Sequence, residues 1–245
     1  MKNNLPLHKV VLLGRTFEEY ARYFEFSIDD LKNKKILDIA AGVSSFCAEA
    51  HELGLTVTAF DLIYDRQPEQ IQRQCELDLN FVVREISDVK AYRWDFYKNA
   101  EGMGQFRERA YKRFLRDYQK NKSARYFSGK LPQTPFAKNQ FDLTLVSYFL
   151  FVYEDQFDYA FHKESILEIM RVTNGEAWIY PLVNFKAERC SYLEKLKQDS
   201  DLRDFKFEEI ATNFEFLRNS NSYLKIRRII PRAIKDSRKR LEPSR

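Results

Sequence analysis

Apolar and polar positions along this chain follow two rhythms. Short runs of strand length recur at Lys35-Ile36-Leu37-Asp38-Ile39-Ala40, Thr56-Val57-Thr58-Ala59-Phe60, Phe141-Asp142-Leu143-Thr144-Leu145-Val146-Ser147 and Ala177-Trp178-Ile179-Tyr180, mostly apolar and rich in β-branched or bulky residues. Between them lie stretches with apolar residues on one helical face. Ser45 to Leu53 carries Phe46, Ala50 and Leu53 on one side and stops at Gly54, and Asp158 to Val172 is a second such stretch, closed by Asn174-Gly175. Strand, helix and strand in succession predict parallel pairing with right-handed crossovers. The last third changes. Glu208 to Phe216 and Tyr223 to Ile230 read as strands joined by Arg218-Asn219-Ser220-Asn221-Ser222, a hairpin that ends the parallel sheet with an antiparallel pair.

Residues 66–122 do not fit a simple crossover, which needs roughly a dozen residues or somewhat more. Phe106, Ala110, Phe114 and Tyr118 recur there at i+4 spacing, so the stretch reads as a helical insertion between the second and third strands. It would sit on the carboxyl edge of the sheet, where ligands of open α/β folds bind, and form a lid over an acceptor. The rest of residues 1–245 reads as a single α/β domain around a mostly parallel sheet. A chain of 245 residues with 44% hydrophobic content buries a core without disulfides or metal. Cys47, Cys75 and Cys190 form no C-x-x-C pair, so neither a disulfide framework nor a zinc site is expected. With no apolar run of about 18 residues and no secretory pattern after Met1, the expectation is a soluble cytoplasmic protein that does not enter a membrane.

The densest chemistry lies at Ile36-Leu37-Asp38-Ile39-Ala40-Ala41-Gly42-Val43-Ser44-Ser45. A strand ends in an acid, and a tight turn of small residues then opens a helix. Small side chains let a ligand approach the backbone, and a helix start offers unpaired N–H groups. Asp61 ends the next strand 23 positions after Asp38, where a carboxylate can accept both hydroxyls of a ribose.

At these residues the sequence resembles class I S-adenosylmethionine-dependent methyltransferases, whose first motif, D/E-x-G-x-G-x-G, reads here as Asp38, Ala40, Gly42 and Ser44. A second block, Arg125-Tyr126-Phe127, Gly129-Lys130-Leu131-Pro132, Pro135-Phe136 and Phe141 to Ser147, resembles the family's Y-x-x-G-D, L-P-F, F-D-L-V and S pattern. Ile166 to Tyr180 resembles a later helix and strand. The resemblance covers roughly residues 33–65 and 123–230. It implies a Rossmann-like three-layer α/β/α fold with seven strands, the last antiparallel, and S-adenosyl-L-methionine as cofactor, released as S-adenosyl-L-homocysteine. By the same resemblance Asp38 lies near the methionine part, Ala40, Ala41, Gly42 and Ser44 form the turn beneath it, and Asp61, followed by Leu62, takes the ribose. Lys130 and Leu131 fall on the adenine side, with Lys130 where the family carries an acid, and Ser147 and Tyr148 lie beside the methionine and substrate. Helices like that around Arg15 to Phe24 often cover the cofactor in this fold, so Arg15 or Tyr20 reaches it unless the helix only packs.

Acceptor chemistry is marked by absences. Ser147-Tyr148-Phe149-Leu150 stands where an Asn/Asp-Pro-Pro-Tyr/Phe would signal methylation of an adenine amino group, and no Pro-Cys pair offers a thiolate for cytosine. His162 and Tyr148 are the weak candidates for a catalytic group, His162 otherwise serving as a surface or capping histidine. Trp94 either lines an acceptor pocket or joins a buried aromatic cluster, and Cys47 and Cys75 have no activating context. Charge widens the choice. About eight bases against two acids lie between Arg107 and Arg125, and about nine against two between Lys225 and Arg245, in a chain of net charge +5. Methyl transfer to a small molecule leads. An RNA or ribosome methyltransferase using the basic insertion and tail, and a non-catalytic binding module on the same fold, stay open.

Overall fold

Seven strands form one sheet in the order β3-β2-β1-β4-β5-β7-β6 in the computed structural model, which describes residues 10–229. The strands are β1 (Lys35–Ile39), β2 (Thr56–Asp61), β3 (Tyr126–Ser128), β4 (Phe141–Ser147), β5 (Thr173–Tyr180), β6 (Phe205–Ala211) and β7 (Ser222–Arg228). The helices are α1 (Phe17–Phe24), α2 (Ile28–Leu31), α3 (Phe46–Glu52), α4 (Pro68–Ile86), α5 (Ala100–Arg125), α6 (Tyr159–Val172) and α7 (Leu193–Gln198). β1 pairs in parallel with both β2 and β4, while β7 runs antiparallel between β5 and β6. The mostly parallel sheet with a reversed last strand is therefore present as expected. Its order switches direction between β1 and β4, which opens a crevice at their carboxyl ends.

Strand alternation decides what each face of β1 meets. Leu37 and Ile39 enter the core beneath α6, Ile36 enters the core shared with α1, α3 and the insertion helices, and Asp38 follows Ile36 to that side. α1 starts at a capping box in which Glu19 N–H donates to Thr16 Oγ1 (3.3 Å) and Thr16 N–H to Glu19 Oε2 (2.8 Å), which satisfies donors a helix start leaves unpaired. Its buried face stacks Tyr20 on Phe46 and Tyr23 on Tyr180, with ring centroids 4.3 and 4.5 Å apart.

Between β2 and β3 stand α4, with Pro68 in its first turn, and α5, capped by Asn99 Oδ1 accepting from Gly102 N–H at 2.7 Å. The i+4 row of α5 turns Ala110, Phe114 and Tyr118 inward, Phe114 and Tyr118 packing on Tyr64 and Tyr126.

Two expected boundaries move. Asn174-Gly175 does not close a helix: α6 ends at Val172 and both residues lie in β5. A Cβ on Gly175 would sit 2.1 Å from the Asp142 carbonyl oxygen, at the place where the β4–β5 register shifts, so the glycine accommodates a bulge. The hairpin connection is also longer than the expected Arg218–Ser222. Residues 212–221 leave the sheet, because their edge bonds to the insertion: Arg93 N–H donates to Phe216 O and Arg218 N–H to Ala91 O, both at 2.7 Å. Ile230 and the rest of the basic tail lie outside the described residues.

Candidate functional site

The turn after β1 is held open by backbone conformation. Ala40 and Gly42 both have left-handed φ, 54° and 53°, a region that glycine enters freely and alanine does not. A Cβ on Gly42 would meet nothing nearer than Asp61 Oδ2 at 4.0 Å, so there is open space above the turn. Asp61 grips the turn from β2. Its Oδ2 accepts from Gly42 N–H at 2.9 Å and its Oδ1 from Ile63 N–H at 3.0 Å, leaving each oxygen a further lone pair. Burial raises its carboxyl above the usual range, and these backbone donors oppose the shift.

Asp38 stands differently from the expectation. It does not line the cavity described below, being fully buried on the α1 side of β1. The Tyr20 hydroxyl lies 3.0 and 3.1 Å from its two oxygens. Burial pushes its carboxyl well above the ordinary aspartate value, with the Tyr20 hydrogen bond opposing and Asp61 adding to the rise. Tyr20 thus meets Asp38 rather than the cavity.

Residues Val10 to Thr16 cross the crevice as a strap. Val11 N–H donates to the Tyr153 hydroxyl (3.3 Å), Leu12 N–H to Asp78 Oδ2 (2.9 Å) and Arg15 N–H to Ser44 Oγ (3.1 Å). Gly14 presses on the turn so closely that a Cβ there would lie 2.2 Å from the Val43 carbonyl oxygen. Below the strap, α1 is clamped to α5. Glu19, fully buried, contacts Arg107 Nη1 at 2.5 Å and accepts from the Tyr97 and Tyr23 hydroxyls, while Arg107 also donates to Gly14 O (3.0 Å) and to the Tyr97 hydroxyl (2.7 Å). Burial alone would raise the Glu19 carboxyl. The Arg107 and Arg15 guanidiniums and the Tyr97 and Thr16 hydrogen bonds outweigh it and bring the group below its ordinary value.

Strap, turn, Asp61 and insertion enclose a cavity of about 660 Å³, within the range of small-molecule sites. Ala40, Ala41, Gly42, Ser44, Asp61, Leu62, Lys130, Leu131, Ser147 and Tyr148 all line it. Sequence reasoning missed much of the remaining wall: Val10 to Leu13, Arg107, and an aromatic group that includes Phe149, Tyr153, Phe157, Phe161 and Phe185. Phe149, Tyr153 and Phe157 lie in the loop after β4, Phe161 in α6 and Phe185 in the loop after β5, with Phe157 stacked on Phe161 at 4.3 Å and Tyr153 edge-on to Phe185 at 4.9 Å. Tyr148 has a left-handed φ of 52°. Its buried hydroxyl, like Ser147 Oγ, makes no hydrogen bond of good geometry among the described residues. Burial raises the Tyr148 phenol despite the opposing charge of Arg15, so it keeps its proton at neutral pH.

For two residues the structure selects between the alternatives left open. His162 is buried away from the cavity, and its ring nitrogens face the carbonyl oxygens of Asp158 (2.7 Å) and Leu150 (2.8 Å). It ties the start of α6 to the loop after β4, with neither nitrogen turned to a substrate. Trp94 packs edge-on against Phe216, centroids 5.4 Å apart, outside the cavity wall. Burial pushes the Cys75 thiol up to about 12 and the Cys47 thiol higher still, so both stay protonated. Half of the basic run on α5 is matched by acids: Lys112 pairs with Glu108, Arg113 with Glu52, Arg125 with Asp117, and Arg107 with Glu19, while Arg109, Arg116, Lys120 and Lys122 make no ion pair among the described residues. Among the described residues no group of three His, Cys, Asp or Glu side chains is placed to hold a metal ion. No described helix is long and apolar enough to cross a membrane.

No family model matches the sequence. A protein of Methanocaldococcus jannaschii, named only as uncharacterized protein MJ0045, is 38% identical over 226 residues, covering 91% of this chain and 99% of that one. The chain belongs to that protein's family. Similar solved structures include the PH0226 protein from Pyrococcus horikoshii OT3, at 15% identity over 86% of either chain with a TM-score of 0.45. A SAM dependent methyltransferase from Aquifex aeolicus is 11% identical, covering 87% of this chain and 97% of that one, with a TM-score of 0.42. Magnesium protoporphyrin IX methyltransferase from Synechocystis PCC 6803, solved with bound SAM, is 10% identical, covering 87% and 91%, also at 0.42. The strand order, not these partial overlaps, defines the architecture: this is the class I methyltransferase fold.

Proposed function

We propose that this protein is an enzyme that transfers the methyl group of S-adenosylmethionine to a small-molecule acceptor. The observation that carries the reading is a single cavity at the sheet's switch point, bounded by the Gly42 turn and the Asp61 carboxylate and continuing between aromatic side chains. Bound there, S-adenosylmethionine would supply an electrophilic sulfonium methyl group for in-line displacement, leaving S-adenosylhomocysteine. The residues present suit it. Asp61 keeps lone pairs for two ribose hydroxyls while its backbone bonds fix its direction. The Ala40–Gly42 turn offers close approach, and Leu62, 52% exposed beside Asp61, offers an apolar surface to a base, with Lys130 and Leu131 opposite.

Catalysis in such a site is largely positioning, worth up to about 7–11 kcal/mol when two reactants are held in line. The strap and the aromatic wall exclude water, and Tyr148 donates a hydrogen bond rather than taking a proton. The enclosed cavity of about 660 Å³ with its aromatic wall favours a small molecule over RNA.

Calorimetry with S-adenosylmethionine and S-adenosylhomocysteine tests the reading. Micromolar binding is expected. Asp61→Ala should weaken it about tenfold or more, since a charge-assisted contact is worth roughly 1.5–3 kcal/mol, and Asp61→Asn, which keeps one acceptor oxygen, should lose less. No binding by a well-folded wild-type protein sinks the enzyme reading and leaves a binding module on this fold.

A further inference from the structure

Three cations of the cavity wall, Arg15, Arg66 and Lys130, make no ion pair among the described residues, and of these Arg15 alone is withdrawn from the exposed surface. Its Nη1 donates to the carbonyl oxygens of Leu13 and Gly14, its guanidinium carbon lies 4.4 Å from the Tyr148 ring centroid, and its buried Nε has no partner. Carbonyls and a ring face carry no net charge, so these contacts orient the cation without neutralising it. The buried carboxylate nearby, Glu19, is held in contact by Arg107, with Thr16, Tyr23 and Tyr97 filling its remaining positions. One carboxylate therefore faces two guanidiniums, and among the described residues Arg15 makes no ion pair. A charge taken largely out of water without a counter-charge is costly, and an arriving anion would remove that cost.

Direction decides which anion. The backbone of Arg15 is tied to Ser44 at the turn, while its guanidinium lies over the ring of Tyr148, the residue that follows β4. Its positive charge opposes the burial-driven rise of the Tyr92, Tyr148 and Tyr153 phenols, as it does for Tyr23 and Tyr97 on the α1–α5 side, and the ring it sits against is that of Tyr148. Around that place the cavity is aromatic, and Asp61, the acid in its lining, is committed to the turn. An anionic head with an apolar body is what this arrangement fits.

Resting on the methyltransferase reading above, we propose that the acceptor is an apolar monocarboxylate, its carboxylate held by Arg15 and its body packed between Tyr148, Phe149, Tyr153, Phe157 and Phe185. Arg15 is thus assigned as the residue that selects the acceptor.

The test uses full-length protein saturated with S-adenosylhomocysteine and measures, by calorimetry, the binding of cinnamate and decanoate beside their uncharged amides. Wild type should bind at least one acid tenfold or more tightly than its amide. Arg15→Gln should reduce that preference below threefold while keeping S-adenosylhomocysteine affinity within threefold of wild type. Acids that bind no better than amides overturn the proposal without recourse to any variant, as does a preference that survives Arg15→Gln. If Arg15→Gln instead loses S-adenosylhomocysteine tenfold but leaves 5′-methylthioadenosine, which lacks the methionyl carboxylate, unchanged, the anion belongs to the cofactor and the proposal falls. A wild type that binds no S-adenosylhomocysteine fails the methyltransferase reading separately, and the acid–amide comparison on protein without the nucleoside then still decides the role of Arg15.

Discussion

Ala40 carries a left-handed φ of 54° in the turn beneath the cavity, one position where the related motif has glycine. A Cβ in that region costs roughly 1–2 kcal/mol, part of which is offset because alanine loses less entropy on folding than glycine. Ala40→Gly should therefore raise stability by about 0.5–1 kcal/mol, read as a rise of a few degrees in thermal midpoint. A fall would mean that the alanine methyl makes a packing contact worth more than the strain. The residue scale is also where sequence reading reached furthest and failed most plainly. The turn, Asp61 and the Ser147-Tyr148 end of β4 were legible because a strand end, a small-residue turn and an acid are local features, and they do come together around one cavity. Asp38 was legible as a strand-end acid, but which face it takes depends on α1 lying over that side of β1 and on Tyr20 meeting it. His162 presented a titratable side chain near a helix start, and nothing in the sequence says that two carbonyl oxygens await its ring.

Among elements, the contact with the largest stake is the buried pair that joins α1 to α5. Removing one partner of such a pair leaves an uncompensated charge and typically costs about 3–5 kcal/mol, so Arg107→Met should destabilise the fold by that amount in urea titration, whereas Glu19→Gln combined with Arg107→Met should recover much of it. The pair also sets a pH dependence. Glu19 binds its proton less readily in the folded state than at its ordinary value of 4.5. Its contribution is therefore complete above about pH 4.5 and is lost as pH falls below that toward its folded-state value. Unfolding free energies measured between roughly pH 3 and 6 should fall toward the acid end in wild type, and less steeply in Glu19→Gln. An equal slope in both would assign the acid sensitivity to other carboxylates. Neither partner was legible as half of a pair, since 88 positions separate them and each reads alone as a solvated helix charge. The 26-residue α5 itself was legible from its i+4 aromatic row. The early end of β6 was not, because alternation continues through Phe214 and Phe216 although the Phe214 N–H donates to Thr212 Oγ1 and the Phe216 carbonyl accepts from Arg93 N–H of the insertion instead of from β7.

At the scale of the whole molecule the cavity is the meeting point of the strap, the β1 and β2 ends, the insertion and the loop after β4. A ligand that binds the folded state alone stabilises by about 2.7 kcal/mol at a hundredfold excess over its dissociation constant, so saturating S-adenosylhomocysteine should raise the thermal midpoint by about 5–10 °C. Amide exchange at Val11, Leu12 and Arg15, whose N–H groups hold the strap down, should slow in parallel. Exchange there that is indifferent to the ligand would separate the strap from the site. The strap has one more consequence, which lies in the order of synthesis. Its anchors at Ser44, Asp78, Gly14–Arg107 and Tyr153 span 29, 66, 93 and 142 positions. The strap precedes all its anchors in the chain and therefore has no complete seat until Tyr153 has been made. Loop closures of that length come slowly in a folding reaction, and an apolar stretch waiting for its partners is exposed to association with other chains. The cavity, whose wall draws on residues from Val10 to Phe216, is thus finished only after most of the chain has been made.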